Sequence, residues 1–221
     1  MTRSINFATD EFYHLYNRGT EKRNIFSSDS DRKRFLTLLY ICNSAKSVDL
    51  KLQGRTLEEV LQIDRGPALV EIGSYCLMPN HVHLLVRAKK ENGISRFMQK
   101  LMTAYTMYFN KRYERSGALF QGKFKATHVA DDRYLKYLIA YIHLNPVKIF
   151  DPKWKEGGIR DRAGAETFLE NYRYSSFLDY WKKESRPERF ILTKDSLPAY
   201  FENGNDFRKA ITEWLSYNDS E

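Results

Sequence analysis

Two imidazoles separated by one residue are the first feature of this chain whose type and spacing could do chemistry. They are His81 and His83, within Ser74–Ala88, which reads Ser-Tyr-Cys-Leu-Met-Pro-Asn-His-Val-His-Leu-Leu-Val-Arg-Ala. On an extended segment alternate side chains share a face, so the two rings face one space while Val82 points into the opposite layer. The run Val82, Leu84, Leu85, Val86 favours a strand and Pro79-Asn80 signals a turn, which predicts a hairpin from Leu69–Leu77 into His81–Ala88. Neutral imidazole nitrogens can bind a divalent ion, and a third, oxygen ligand would still be needed. A bare His-x-His more often marks a solvated strand face, so the pair carries weight only in company with other residues.

A second group lies further on, where Tyr134, Tyr137, Tyr141 and Asn145 recur at three- or four-residue steps near one helix face. Tyr134 and Tyr137 read as packing, and His143 faces roughly the other way. A phenol with a pKa near 10 is only about one part in a thousand ionised at neutral pH. Lys111, Arg112, Arg115, Lys123 and Lys125 form a third group, interleaved with Tyr113, Phe120 and Phe124 and with Glu114 as the one acid between 111 and 125. Cations among aromatics suit a single strand of nucleic acid, although a solvated helix end has the same composition. Arg18, after Asn17, stands where a strand end could meet a phosphate.

These residues require a scaffold, and the sequence predicts one. Phe12–Gly19 alternates as a first strand, in which the lone His14 reads as a hydrogen-bonded sheet residue. Asp29 and Ser30 offer caps for a helix over Arg32–Ala45, with Phe35, Leu38, Leu39 and Cys42 as its core face. Residues 47–67 read as an insertion with a short helical piece near Leu57–Ile63. The hairpin follows, then a helix over Ile94–Arg115 with Phe97, Leu101, Tyr105, Tyr108 and Phe109 on one face, ended by Gly117. Phe124–Ala130 gives a fourth strand, with His128 structural. Asp131-Asp132 caps a third helix over Arg133–Leu144, stopped by Pro146. The order is that of an α+β, ferredoxin-like split βαβ fold, an antiparallel four-stranded sheet with helices on one face and with strands one and three central. Residues 1–150 form that domain. Residues 151–221 form an appendage of short helices and loops, docked through Tyr172–Phe177 and Tyr180-Trp181 and ending in a helix over Phe207–Trp214.

Composition is consistent with this reading. The chain has 221 residues, 42% of them hydrophobic, enough for a packed core. Lys+Arg number 36 against 28 Asp+Glu, a net charge of +8 that points to a polyanionic partner, with nucleic acid the leading candidate. The two cysteines, Cys42 and Cys76, have no metal-finger spacing and fit a reducing compartment. No signal core or membrane span is evident, so a cytoplasmic location is expected.

Met78–Val86 resembles the histidine-hydrophobe-histidine signature of the single-tyrosine transposases of the IS200 type, and more particularly their relatives associated with repetitive extragenic palindromes. Ala140–Val147 resembles the second signature of those relatives, and Tyr13–Gly19 and Gly117–Phe124 are further matches. The four ordered motifs cover most of residues 11–150. The resemblance implies a metal-dependent endonuclease and strand transferase that cuts single-stranded DNA at hairpin or palindromic sites through a 5′-phosphotyrosine. Tyr141 would be the nucleophile, and Mg²⁺ or Mn²⁺ would be held by His81, His83 and Asn145. Two physical points agree. Pro146 disfavours α geometry at Asn145 and so sets it at the helix end, near the negative pole of the dipole. Tyr141 lies one turn from that end, and Tyr137 a further turn, ~6 Å, beyond Tyr141. Monomer and homodimer both remain open, as do two rival readings: a non-catalytic single-strand-binding protein of the same fold and a metal-dependent hydrolase that leaves no covalent adduct.

Overall fold

The computed structural model describes residues 6–47, 55–182 and 186–216. Strand β1 (Phe12–Arg18) is followed by helix α1 (Asp29–Cys42) and the short α2 (Leu57–Leu61). The hairpin β2 (Val70–Met78) and β3 (His81–Ala88) leads to the long α3 (Gly93–Arg112), then β4 (Lys125–His128) and α4 (Asp132–Leu144). The remaining described helices are short: α5 (Val147–Phe150), α6 (Trp154–Gly157), α7 (Arg162–Asn171), α8 (Phe177–Trp181) and α9 (Gly204–Glu213). The sheet is antiparallel in the order β2-β3-β1-β4, with strands one and three central as the sequence predicts. Among the described residues no helix is long and apolar enough to cross a membrane.

Strand alternation sorts the side chains into two layers. Tyr13 and Leu15 of β1 and Val82, Leu84 and Val86 of β3 are buried with Phe35, Leu39, Phe97, Leu101 and Tyr105 of α1 and α3, which is the predicted ferredoxin-like core. Leu57 and Val60 of the 47–67 insertion join it, while residues 48–54 of that insertion lie outside the described set. The other face of the sheet is also covered. Cys76, Met78 and Leu85 are buried there with Leu138, Ile142, Phe177 and Phe207. So α1 and α3 lie on one face as expected, and α4 with the later helices forms a second layer on the face that carries His81 and His83.

The residues after 150 dock by more than aromatic burial. A bulge at Gly73 lets β2 re-aim its side chains, and the outer edge of β2 pairs with residues 174–176. Leu77 N–H donates to Tyr174 O at 2.9 Å and Ser176 N–H to Tyr75 O at 3.0 Å, so an edge strand that would expose unpaired backbone groups is covered. Tyr172 Oη–H adds a bond to Leu77 O at 2.6 Å. His143, fully buried at this seam, bonds to Ile139 O and Ser176 Oγ and faces away from the other histidines.

The cap of α1 differs from the expected one. Ser28, not Asp29 or Ser30, is the N-cap, and it forms a reciprocal capping box with Asp31. Asp31 is fully buried, because it also ties α1 to the far end of α3. Its carboxylate accepts from Ser27 N, from Tyr108 Oη and from Tyr113 Oη at 2.7–3.0 Å, and Arg112 Nε lies 3.6 Å away. Asp31→Ala would strand two backbone N–H groups and two phenols. It should cost about 2–4 kcal/mol in urea melts, whereas Lys33→Ala, which removes an exposed pair with Asp29, should change little.

Candidate active site

The chain holds the β2–β3 turn from behind. Pro79 O accepts from Ile25 N and Phe26 N, Asn80 O accepts from Gly19 N, and Asn80 Nδ2 donates to Lys22 O. Gly19 is required at this crossing, since a Cβ there would meet Arg23 O at 2.3 Å. The loop 117–124 also docks here, with Gln121 N–H donating to Arg18 O at 2.7 Å and Thr20 N–H to Leu119 O at 3.0 Å. Three of the four motif segments therefore converge on the turn that fixes His81.

His81 and His83 share a face, with ring centroids 4.9 Å apart and planes at 87°. Each is oriented through Nδ1. His81 Nδ1 lies 2.6 Å from Asn80 Oδ1, an acceptor that requires a proton on that nitrogen and leaves Nε2 a free lone pair. His83 Nδ1 lies 2.9 Å from His14 Nε2, so the two buried rings share one proton. His83 Nε2 is buried without a hydrogen-bond partner. Buried polar atoms are almost always satisfied, and in the tautomer in which His83 Nδ1–H donates to His14 Nε2, the His83 Nε2 lone pair beside the one on His81 is the arrangement a divalent ion would complete. Among the described residues no cluster of three or more His, Cys, Asp or Glu could hold a metal, so a further protein ligand would have to be an amide oxygen such as that of Asn145.

The electrostatics keep these rings neutral. Burial lowers the pKa of His81 to about 4, with Arg18 and Lys148 adding repulsion. Burial lowers His83 well below the ordinary range, helped by the His14, His81, Lys148 and Lys155 charges. His14 also falls to about 4, through burial. Neutral imidazoles are the ligand form throughout the physiological pH range.

Tyr141 lies over this cluster. Its ring is edge-on to His83 at 5.5 Å and to His14 at 6.0 Å. Tyr137 stacks on the outer side of Tyr141 at 6.0 Å, and Tyr134 stacks on Tyr137 at 6.1 Å, so the other two tyrosines run away from the histidines. Burial raises the Tyr141 pKa, partly countered by a hydrogen bond from Asn145. Lys155 Nζ stands 4.6 Å from the Tyr141 ring centroid.

Asn145 sits beside Tyr141, but not for the reason expected. It keeps right-handed helical angles, φ −51° and ψ −40°, despite the following proline, and Pro146 begins the next short helix. Its side chain turns back on the helix end, where Asn145 Nδ2 donates to Tyr141 O at 2.8 Å. The amide oxygen Oδ1 is the acceptor this side chain can still offer.

The predicted basic residues separate into two sets. Arg18 pairs in register with His81, and Lys125 with Tyr16, which places both on the histidine face. Lys123 is exposed in the neighbouring loop. The 111–115 set lies at the end of α3, which packs on the opposite face of the sheet. There Lys111 is exposed, Arg112 bonds to Tyr108 Oη and approaches Asp31, and Arg115 bonds to Asn110 Oδ1 and Ala118 O. The intervening aromatics are structural: Phe120 is core and Phe124 stacks on Phe7. A single cation–aromatic track over 111–125 is therefore not what the fold forms. Sequence reasoning missed Lys148, Lys155 and the orienting roles of His14 and Asn80. Only the alternation of His14 with Tyr16 carried a signal for any of them.

Comparison with known proteins supplies the family. A sequence model described as "Transposase IS200 like" matches residues 9–145, more than half of the chain. No curated protein sequence matches the chain. Among solved structures, that of a REP-associated tyrosine transposase bound to a REP hairpin is similar, with a TM-score of 0.50 and 11% identity over 81% of this chain and 84% of that one. A tRNA(His) guanylyltransferase from Saccharomyces cerevisiae aligns at a TM-score of 0.35 and 8% identity over 90% and 83%. At such identities the first likeness speaks to the fold alone, and the second carries no argument. The match spans the strands and the helix that carry the histidine–tyrosine cluster, and the chain belongs to the IS200-like transposase family.

Proposed function

We propose that this transposase cuts and rejoins single-stranded DNA by transesterification at Tyr141, using a divalent ion, Mg²⁺ or Mn²⁺, held by His81, His83 and Asn145. The observation that carries the reading is the position of Tyr141, edge-on to His83, which shares a strand face with His81, both histidines having their Nδ1 atoms already engaged. A bound divalent ion would neutralise charge on the scissile phosphate and the departing 3′-oxygen. The Tyr141 phenol loses its proton, its oxygen bonds to phosphorus, and the P–O3′ bond breaks to give a 5′-phosphotyrosine and a 3′-OH. The tyrosyl ester retains the energy of the phosphodiester, so a 3′-OH from another strand can reverse the step without nucleotide triphosphate. Because burial raises the Tyr141 pKa, the resting phenol is neutral, and deprotonation is coupled to arrival of the phosphate and ion. A hairpin or palindromic strand is the favoured substrate, in keeping with the REP hairpin bound by the similar transposase. A non-catalytic binding protein would have no need of a buried, unpartnered His83 Nε2.

Tyr141→Phe removes one hydroxyl and should keep DNA binding while abolishing the denaturation-resistant adduct formed with labelled single-stranded hairpins and Mn²⁺. Mass spectrometry of the wild-type adduct should find the nucleotide on Tyr141. A nucleotide on Tyr134 or Tyr137 would assign the nucleophile to the wrong turn of α4.

For the interface, Arg18, Lys123 and Lys125 are the phosphate contacts nearest the site, with Lys111 further off. Arg18→Glu and Lys125→Glu should each weaken hairpin binding about tenfold at low salt and flatten its salt dependence. Arg112→Glu and Arg115→Glu should act mainly through stability, because their guanidinium groups are held by this chain. Equal loss of affinity in all four variants, at unchanged melting temperature, would restore the 111–115 set to the interface.

A further inference from the structure

The histidine face of the sheet is covered unevenly. Helix α4 packs over β2 and β3, whereas β4 is the outer strand on the far side of β1. The strand registers put Phe12, His14, Tyr16 and Arg18 of β1 and Lys125 and Thr127 of β4 on this face. Arg18, Lys125 and Thr127 are exposed, and Tyr16 is half-exposed. Phe12 packs with the apolar cluster beneath α4, but Tyr16 belongs to neither hydrophobic cluster of the fold. Its ring lies against imidazoles instead, 5.0 Å from His14 at 32° and 6.1 Å from His83 at 29°, so it extends a row of nearly parallel rings. A half-exposed tyrosine on a strand is ordinary by itself. Its company is not, because the ring next to it is a candidate metal ligand and its cross-strand neighbour on β4 is a lysine.

We propose that this β1–β4 strip is the platform for the single strand entering the site, with Tyr16 stacking on the base of a nucleotide that flanks the scissile phosphate. The inference rests on the transesterification reading for the position of that phosphate, and on the exposure, charge and ring geometry of the strip for the base. Bases of a single strand are free to stack on aromatic side chains of an open sheet, while cations follow the phosphates. Lys125 stands directly opposite Tyr16, Arg18 lies two residues along the same strand, and none of the six side chains on the strip is acidic. Charge complementarity therefore selects a polyanion, and the exposed ring selects one with unpaired bases. A duplex keeps its bases stacked on one another, so it would use the cations and leave the ring idle. Because Tyr16 is opposite His83 in register, a phosphate held at His83 brings a base of the same strand within reach of the ring. Stacking there would hold the strand still for attack by Tyr141, which makes Tyr16 a positioning residue.

Binding in chelator tests this without requiring cleavage. The probes are a labelled thymidine oligonucleotide and a strand of equal length in which every base is replaced by an abasic tetrahydrofuran unit. The wild-type chain should prefer the thymidine strand. Tyr16→Leu should reduce that preference roughly tenfold and Tyr16→Phe should retain it, with affinity for the abasic strand changed less than about twofold in both. A ring that merely shielded the imidazoles would affect the two probes alike. Thr127→Glu puts an acid at an exposed position of the strip and should weaken binding of both probes. With 5-iododeoxyuridine in place of thymidine, irradiation of the wild-type chain should cross-link the peptide containing Tyr16, a result independent of how any variant folds. An unchanged preference in Tyr16→Leu, undiminished binding by Thr127→Glu, or cross-links confined to peptides outside β1 and β4 would overturn the platform. If a Tyr141 adduct forms in wild type with Mn²⁺ under any of those results, the platform alone fails. If the preference and the cross-link behave as expected and no adduct ever forms, the platform stands and the transesterification reading falls.

Discussion

The site depends on one buried hydrogen bond, His14 Nε2 to His83 Nδ1 at 2.9 Å, between the two central strands. Two imidazoles removed from water cannot both be charged, and burial lowers both pKa values so that they are neutral. The shared proton fixes the relative orientation of the rings, and with it the direction of His83 Nε2. The β1–β3 register sets Tyr16 opposite His83 and Leu85 opposite His14, so the two imidazoles approach each other diagonally across the pair. A slip of one residue would turn His83 into the opposite core and replace it with an aliphatic side chain. The geometry of the histidine cluster and the hydrophobic alternation of the sheet are therefore the same constraint expressed on two faces.

The second layer follows from that alternation. A strand face bearing histidines cannot be sealed by aliphatic packing alone, and α4 covers it with Leu138 and Ile142 on one side of its axis and the tyrosine row on the other. Packing against Cys76, Met78 and Leu85 sets where the helix lies, and Tyr141 comes over His83 as a consequence. The residues after 150 pack against α4 and, through 174–176, pair with the free edge of β2, so they stabilise the layer that places Tyr141.

Much of this was legible in the sequence, because strand and helix periods are local properties. His81-Val82-His83 with the β-branched run around it marked β3, the Phe97–Leu101–Tyr105 spacing marked the core face of α3, and the order of strands and helices, read as a split βαβ pattern, placed strands one and three in the centre. What stayed hidden depended on contacts distant in sequence. His14 read as an ordinary sheet residue because nothing local reveals that it meets His83, 69 residues away. The 111–125 cluster read as one basic track because proximity in sequence concealed Asp31, which binds the end of α3 from the start of α1. Asn145 was expected to leave helical geometry before Pro146. It stays helical instead, with its side chain bonded to the Tyr141 carbonyl, a local contact that a statistical preference does not capture. Covering the second sheet face was also beyond a count of strands and helices, since α4 could have packed on either side.

Pulsed electron paramagnetic resonance of the Mn²⁺-loaded protein tests the central claim most directly, because it reads the ligands and not the activity. The account predicts nitrogen couplings from two imidazoles in wild type, reduced to one when His83 is replaced by asparagine. Bound Mn²⁺ with no imidazole coupling would contradict it.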